Sequence, residues 1–244
     1  MAGIRLDQML VQRGLVESRE KAQRLIMAGK VRVAGQVQPK AGKTFAEDCV
    51  IEIEQPERFV SRGGEKLEGA FQQFGLNVEG LVCADVGAST GGFTDCLLQH
   101  GAMRVYAIDV GKGQLHWKLR SDPRVTVIDE VNARNIQATF LPEKAVFACV
   151  DVSFISLTLV LPAVIKVLAP QATIVTLIKP QFEAGREQVG KGGVVRDERV
   201  RADVVEKIRV FGETKLGLTW RGVCESPIKG PAGNVEFLAW WNKT

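Results

Sequence analysis

Asp85-Val86-Gly87-Ala88-Ser89-Thr90-Gly91-Gly92-Phe93-Thr94 is the stretch on which the fold of this chain turns. The apolar run Leu81–Asp85 before it reads as a strand ending in an acid, and Gly92–Gly101 reads as a helix with a glycine stop. A strand, a glycine turn and a helix in succession let the backbone pass close to a bound ligand. Spacing selects the ligand. A dinucleotide fingerprint needs G-x-G-x-x-G, whereas the order here is Gly87-x-x-x-Gly91-Gly92, with Ser89 at the middle glycine position. That disfavours an NAD-dependent oxidoreductase. No G-x-x-x-x-G-K-[ST] loop for a nucleoside triphosphate is present either. Asp109, ending the next strand, can take both hydroxyls of a ribose, whether of NAD or of an adenosyl group.

Outward from the turn, strand and helix patterns alternate. Strands are expected at Arg104–Asp109, Val125–Ile128, Ala145–Val150 and Thr173–Leu177, a helix at Leu157–Leu168 and a long helix at Glu198–Leu216. Two late strands follow, Leu218–Cys224 and Val235–Trp241. Near-continuous apolar strands mean a sheet covered on both faces, hence a doubly wound α/β domain. Ligands of such sheets bind beyond the carboxyl ends of the strands, where Asp85, Asp109 and Asp151 stand.

Before residue 57 the pattern changes. Leu6, Met9 and Leu10, then Ala22, Leu25 and Ile26, fall at helical spacing, with Gly14 and Gly29 as stops and Ser18 as an N-cap. Val31, Val33 and Val37 alternate around Ala34-Gly35-Gln36 as a hairpin, and Val50–Glu54 is a strand. Pro56 and the stretch to Ser61 mark the boundary. Residues 1–43 carry nine Lys/Arg against three Asp/Glu, while 44–57 carry five acids and no base, so positive charge gathers at the N-terminal module.

Composition narrows the class. With 45% hydrophobic and 25% charged residues, a packed core is expected. Five scattered cysteines without a C-x-x-C pair give neither a disulfide framework nor a zinc cage, and fit a reducing cytoplasm. His100 and His116 are poor metal ligands on spacing, so no metal is expected. No signal-like segment opens the chain, and Pro162 and Lys166 interrupt the longest apolar stretch, Val152–Leu168. A membrane-active protein is therefore disfavoured. The glycine-rich segment Glu183–Arg196 is expected to be a mobile loop.

The turn resembles motif I of the class I methyltransferases, with an acid two residues before the first glycine. The N-terminal module, through Arg5-Leu6-Asp7, Ser18-Arg19 and Gly29-Lys30-Val31-Arg32-Val33-Ala34-Gly35, resembles the S4 RNA-binding domain. Three further segments carry the catalytic likeness: Ser61-Arg62-Gly63-Gly64-Glu65-Lys66-Leu67, Ile178-Lys179-Pro180-Gln181-Phe182-Glu183 and Asn234-Val235-Glu236-Phe237-Leu238. With Asp151 they resemble the Lys-Asp-Lys-Glu tetrad of ribose 2′-O-methyltransferases, and most closely the TlyA family, historically known as haemolysins, in which an S4 domain precedes that fold. No Asn/Asp-Pro-Pro-aromatic run follows the fourth strand, and Cys149 lies inside it as a core residue rather than a nucleophile.

The resemblance implies a small α+β S4 domain (1–57), a linker (58–62) and a Rossmann-like class I methyltransferase domain (63–244), its sheet mostly parallel with an antiparallel late strand. It implies S-adenosylmethionine as cofactor, a cytidine ribose in ribosomal RNA as acceptor, with the large subunit favoured, and a cytoplasmic location. Lys66, Asp151, Lys179 and Glu236 would be catalytic: Lys179 the base, Lys66 orienting the 2′-oxygen and adding positive field, Glu236 placing a lysine, Asp151 holding Lys179. Asp85 and Gly87 would belong to the cofactor site, with Ser89, Thr90, Gly91, Gly92 and Phe93 around the methionine end, Asp109 at the ribose, and Asp129 and Asn132 near the adenine. Many members have Glu at the place of Asp129. Arg5, Arg19, Lys21, Arg24, Lys30, Arg32 and Arg62 would meet RNA phosphates.

Overall fold

The computed structural model describes residues 3–54 and 57–244, and the chain divides into two compact units, Met1–Glu57 and Arg58–Thr244. Pro56, read above as part of a boundary, lies outside the described residues, as do the first two residues. Residues 58–62 are no separate linker but part of the second unit. Phe59 is buried there, and the Val60 N–H donates to the Asp95 carboxylate at 2.8 Å.

The first unit contains β1 (Ile4–Arg5), α1 (Leu6–Gln12), α2 (Arg19–Met27), β2 (Val31–Val33), β3 (Gln36–Val37), β4 (Thr44–Phe45) and β5 (Ile51–Ile53). The Ser18 hydroxyl accepts from the Lys21 N–H at 3.2 Å and caps α2, as expected. Leu6 and Leu10 of α1 and Ala22 and Ile26 of α2 pack on Val31 and Val33, one alternating face of β2. The hairpin turns at Ala34-Gly35, both with positive φ, and Gln36 already belongs to β3. The β1–β4 pair escapes pattern reading because two residues are too few to show a period.

The second unit contains α3 (Gly63–Phe74), β6 (Val82–Val86), α4 (Gly92–Gln99), β7 (Arg104–Ile108), α5 (Trp117–Arg120), β8 (Val125–Ile128), β9 (Ala145–Val150), α6 (Leu157–Val164), β10 (Leu168–Ile178), α7 (Pro180–Glu183), α8 (Glu198–Leu216), β11 (Leu218–Glu225) and β12 (Phe237–Lys243). The sheet runs β11-β12-β10-β9-β6-β7-β8. The strands from β10 to β8 are parallel, while β12 is antiparallel to both β10 and β11. Two apolar clusters cover the two faces, and all five residues of β6 are buried, as the continuous apolar run requires. The strand order reverses between β6 and β9, so the crevice for a ligand opens at their carboxyl ends.

Several elements differ from expectation: the short helices α5 and α7 were not expected, β10 starts at Leu168 rather than Thr173, and β12 starts at Phe237 rather than Val235. Helix α6 stops at Val164, a single tight turn follows over Ile165–Val167, and Leu168 starts the strand. Pro162 removes an amide donor from the last turn of α6, which fits the early stop. Helix α3 was not foreseen as a helix, because Gly63, Gly64 and Gly69 weaken its propensity. What replaces propensity there is burial: Lys66, Leu67, Ala70 and Phe71 form its inner stripe.

Candidate active site

The glycine turn joins β6 to α4. Gly87 adopts φ +86°, and a Cβ there would lie 2.2 Å from the Asp151 carbonyl oxygen. Only glycine lets the β6 and β9 ends approach that closely. A Cβ at Gly92 would strike Ser61 and the Gly64 nitrogen, so the starts of α3 and α4 also meet without side chains. Asp85 lies beneath the turn, fully buried, and accepts the Thr94 hydroxyl at 2.6 Å. Burial pushes its carboxyl up to about 7, with the Asp151 charge adding and the Thr94 bond opposing. It supports the turn without reaching the cavity wall.

Two hollows open on this turn and share Gly87, Ser89, Asp151 and Ser153. One, of about 470 Å³, is lined by Ile108, Asp109, Val110, Val131, Asn132 and Ile155. Asp109 is fixed at its edge, accepting the Ser89 N–H at 2.8 Å and the Gly111 N–H at 2.7 Å. The second lone pair of each oxygen is left for a diol. Asn132 accepts the Arg134 N–H, which leaves its amide donors to the hollow. Apolar walls, a carboxylate and an amide suit an adenosine.

Asp129 departs from its expected place. Its carboxylate takes Arg120 at 2.8 Å and the Gly113 N–H at 3.0 Å, and it does not line the hollow. Aspartate is one methylene shorter than the family's usual Glu, and these partners hold it back. Gly91, with φ +101°, sits against Leu115 and Leu119 rather than in the cavity.

The other hollow, of about 270 Å³, holds Ser89, Thr90, Gly92 and Phe93 from the turn together with Lys66, Asp151, Lys179 and Glu236. Lys66 donates to Glu236 Oε2 at 2.6 Å, with side chains 9% and 1% exposed. A charge pair so buried is tolerable only because each partner satisfies the other. Lys179 Nζ lies 2.5 Å from Asp151 Oδ1 and donates to the Ser153 hydroxyl at 2.9 Å. Four residues spread from position 66 to position 236 thus converge as two lysine–carboxylate pairs on one cavity. The arrangement offers an amine to accept a proton, a second cation to orient an oxygen, and carboxylates to fix both.

Some residues here were missed in the sequence. Ser153 touches Lys179 and lines both hollows. Gln181 donates to Glu236 Oε1 at 3.1 Å. Phe154 is 90% exposed at the rim, in a left-handed conformation with φ +62°, its ring 4.9 Å from that of Phe182. All three lie within or beside the quoted segments, so adjacency to Asp151 and Lys179 was the available signal. Lys229 joins Arg62 on the wall of the second hollow. Near its end the segment expected to be a mobile loop bonds to Asn234, which accepts the Val195 N–H and donates to the Gly193 carbonyl. Among the described residues one grouping of metal-ligand type occurs, Glu68, Cys96 and His100, but Glu68 is already paired with Arg58 at 3.0 Å.

In the first unit the basic residues divide. Arg5 and Arg19 converge on the buried Asp7, at 3.1 and 2.8 Å, with Gln23 adding a bond at 3.0 Å. Their guanidinium groups hold its carboxyl well below the ordinary range. Both remain about half exposed. Lys21 pairs with Glu17 and Lys30 with Glu54, while Arg24 and Arg32 are exposed. Arg5 and Arg19 therefore have a structural task that charge counting did not reveal.

Residues 59–243 match the family model described as FtsJ-like methyltransferase, and residues 4–45 match the S4 domain. YqxC of Bacillus subtilis is 49% identical over 96% of this chain and 84% of its own length. The 16S/23S rRNA (cytidine-2′-O)-methyltransferase TlyA of Mycobacterium tuberculosis is 45% identical over 97% of this chain and 88% of its own. A solved structure from Streptococcus thermophilus, of a protein carrying a hemolysin name, aligns with a TM-score of 0.76 at 45% identity, covering 100% of this chain and 90% of that one. Among the described residues no helix is long and apolar enough to cross a membrane.

Proposed function

Because the chain belongs to the TlyA family of FtsJ-like methyltransferases, we propose that it transfers a methyl group from S-adenosylmethionine to a ribose 2′-hydroxyl of ribosomal RNA. The observation that carries this is the convergence of Lys66, Asp151, Lys179 and Glu236 on the cavity beside the glycine turn. The residues fit the cofactor: Asp109 and Asn132 would hold the ribose and adenine, and Gly87 and Ser89 line both hollows, so that one ligand can run from one to the other along the turn. When bound, S-adenosylmethionine supplies an electrophilic methyl on a sulfonium.

The chain's own residues supply the rest. A ribose hydroxyl is a weak nucleophile at neutral pH and needs a base as the new C–O bond forms and the C–S bond breaks. Lys179 takes that proton in its amine form, and Asp151 stabilises the ammonium produced. Lys66, held by Glu236, directs the 2′-oxygen toward the turn. Holding the 2′-oxygen against its base, at a fixed place beside the turn where the methyl donor would bind, is where most of the acceleration arises. Phe154 and Phe182 offer an aromatic surface on which an unpaired base can stack, Phe154 lining the hollow that Asp109 edges, while Arg62 and Lys229 on the wall of the catalytic hollow offer phosphate contacts.

The test is tritium-methyl transfer to separated large and small ribosomal subunits and to naked rRNA, with mapping of the modified nucleotide. The expected product is a 2′-O-methylated cytidine in large-subunit RNA, lost in Lys179→Ala. A base-methylated product would sink the proposal.

A further inference from the structure

We propose that Glu183 is a positioning residue for methyl transfer, a buried carboxylate latch between the loop that carries Asp151 and the turn that carries Lys179. The proposal rests on the functional reading above. Its starting point is a gap in the sheet. Strands β9 and β10 lie side by side, but their paired register ends at Val150 and Thr176. Beyond that point, among the described residues, no backbone bond joins the two chains directly, and the candidate base and its carboxylate partner both lie beyond it. Backbone bonds continue only to their other neighbours, from the Asp151 N–H to Val86 of β6 at 2.9 Å and between Ile178 and Phe237 of β12, so the links across the gap come from side chains.

Three links cross the gap. Lys179 itself reaches Asp151 and Ser153, and the rings of Phe154 and Phe182 pack at 4.9 Å, though Phe154 is 90% exposed. The third is Glu183, at the end of α7, four residues after Lys179 and 6% exposed. Its Oε2 accepts the Ser156 hydroxyl at 2.6 Å, and its Oε1 accepts the Leu157 N–H at 2.7 Å. These are the last residue of the Asp151–Ser156 loop and the first residue of α6. On its other side the Glu183 carbonyl accepts Lys207 of α8 at 2.7 Å. One residue thereby anchors the α7 turn to α6 and to α8.

Glu183 lines neither hollow, so its effect must pass through Lys179, Ser153 and Asp151. A buried carboxylate bonded to an otherwise unpaired N–H at a helix start is costly to remove, because the N–H is then left without an acceptor. The loop regains an acceptor only by shifting, and a displacement of about 1 Å at reacting groups costs on the order of a hundredfold in rate.

Glu183→Gln keeps an acceptor for Leu157 and can donate to the Ser156 oxygen, so it preserves the latch without the charge. Glu183→Ala removes it. The milder break is Ser156→Ala, which takes away one of the two bonds together with the cap that the Ser156 hydroxyl gives the Thr158 N–H. In steady-state assays with the full chain and ribosomal subunits, Glu183→Ala is expected to lower kcat about ten- to a hundredfold, with KM for S-adenosylmethionine within about twofold. Glu183→Gln should stay near wild type, with Ser156→Ala between the two. A second readout does not depend on turnover: NMR of reductively ¹³C-methylated lysines, with the Lys179 signal identified by its loss in Lys179→Arg. That signal should move in Glu183→Ala and Ser156→Ala and stay in place in Glu183→Gln. The latch is overturned if the Lys179 signal is unmoved in both breaking variants, or if kcat per folded molecule is unchanged. Should Glu183→Ala fail to fold, Ser156→Ala and Glu183→Gln decide by the same criteria. If the wild-type protein methylates no rRNA, the functional reading falls, while the Lys179 signal still tests the latch.

Discussion

Replacing Lys66 by Met should separate the stability of the active-site cavity from its chemistry. The pair it breaks is closed, with Lys66 Nζ 2.6 Å from Glu236 Oε2 and the Glu236 side chain 1% exposed. Removing one member of a buried pair costs about 3–5 kcal/mol, because the other charge stays buried without compensation. Here Glu236 keeps Gln181 on its other oxygen at 3.1 Å, so the lower end, about 3 kcal/mol, is expected. With a urea dependence of about 1–3 kcal/mol per molar, the midpoint should fall by roughly 1–3 M. All four tryptophans, Trp117, Trp220, Trp240 and Trp241, belong to the second unit, so their fluorescence reports its unfolding. Adding Glu236→Gln removes the stranded charge and should bring stability back to within about 1 kcal/mol of wild type. Methyl transfer should be lost in the single and in the double variant alike. Two results would refute this account: a loss below about 1 kcal/mol in Lys66→Met, or recovery of activity in the double variant.

Two further outcomes follow from buried carboxylates. Asp85 is raised to about 7 by burial, so the folded state holds a proton that the unfolded chain releases near pH 4. Its contribution makes stability fall as pH rises from about 4 through about 7, by up to on the order of 4 kcal/mol. Asp85→Asn should remove that slope, read as urea midpoints at pH 5 and pH 8; parallel profiles for the two proteins would contradict it. Asp7 is the opposite case, depressed by Arg5 and Arg19, so its stabilisation is complete above the unfolded value near 4 and is lost as pH falls through the lower folded value. Asp7→Asn should weaken the first unit by about 1–3 kcal/mol at neutral pH and flatten its acid sensitivity, measured by amide exchange of α1 and α2. Equal acid sensitivity in variant and wild type would show that the cluster is not charge-locked.

How much was legible in the sequence depended on the range of the forces involved. Strands β6 to β9 and helix α8 were read nearly to the residue, because a covered parallel strand is apolar throughout and α8 starts at a capping Asp197 and ends at Gly217. Helix α3 was not foreseen, since its three glycines obscure a helix that only packing sustains. The first unit shows the same limit in charge. Arg5 and Arg19 count as cations in the sequence, yet the residue that engages them is Asp7, whose burial no local pattern announces. Asp129 fails for a similar reason: its partner Arg120 lies on α5, a helix of one turn.

The meeting of Glu236 with Lys179 and Lys66 was legible as a motif but not as geometry, and the antiparallel strand explains it. Register pairs Ile178, the last residue of β10, with Phe237, the first residue of β12. Lys179 and Glu236 are the next residues outward on each side, so they leave the sheet together at its carboxyl edge. Were β12 parallel to β10, its first residue would lie at the opposite edge, a strand length of about 20 Å away, and Lys66 on α3 would have no carboxylate to meet. The same edge receives Asp151, one residue past the end of β9, because β9 and β10 are parallel and in register up to Val150 and Thr176. One reversed strand therefore brings the fourth charge to a site that parallel strands could build only in part. This also accounts for the pairing seen there, in which Lys66 pairs with the residue preceding the reversed strand and Lys179 with the residue following a parallel one.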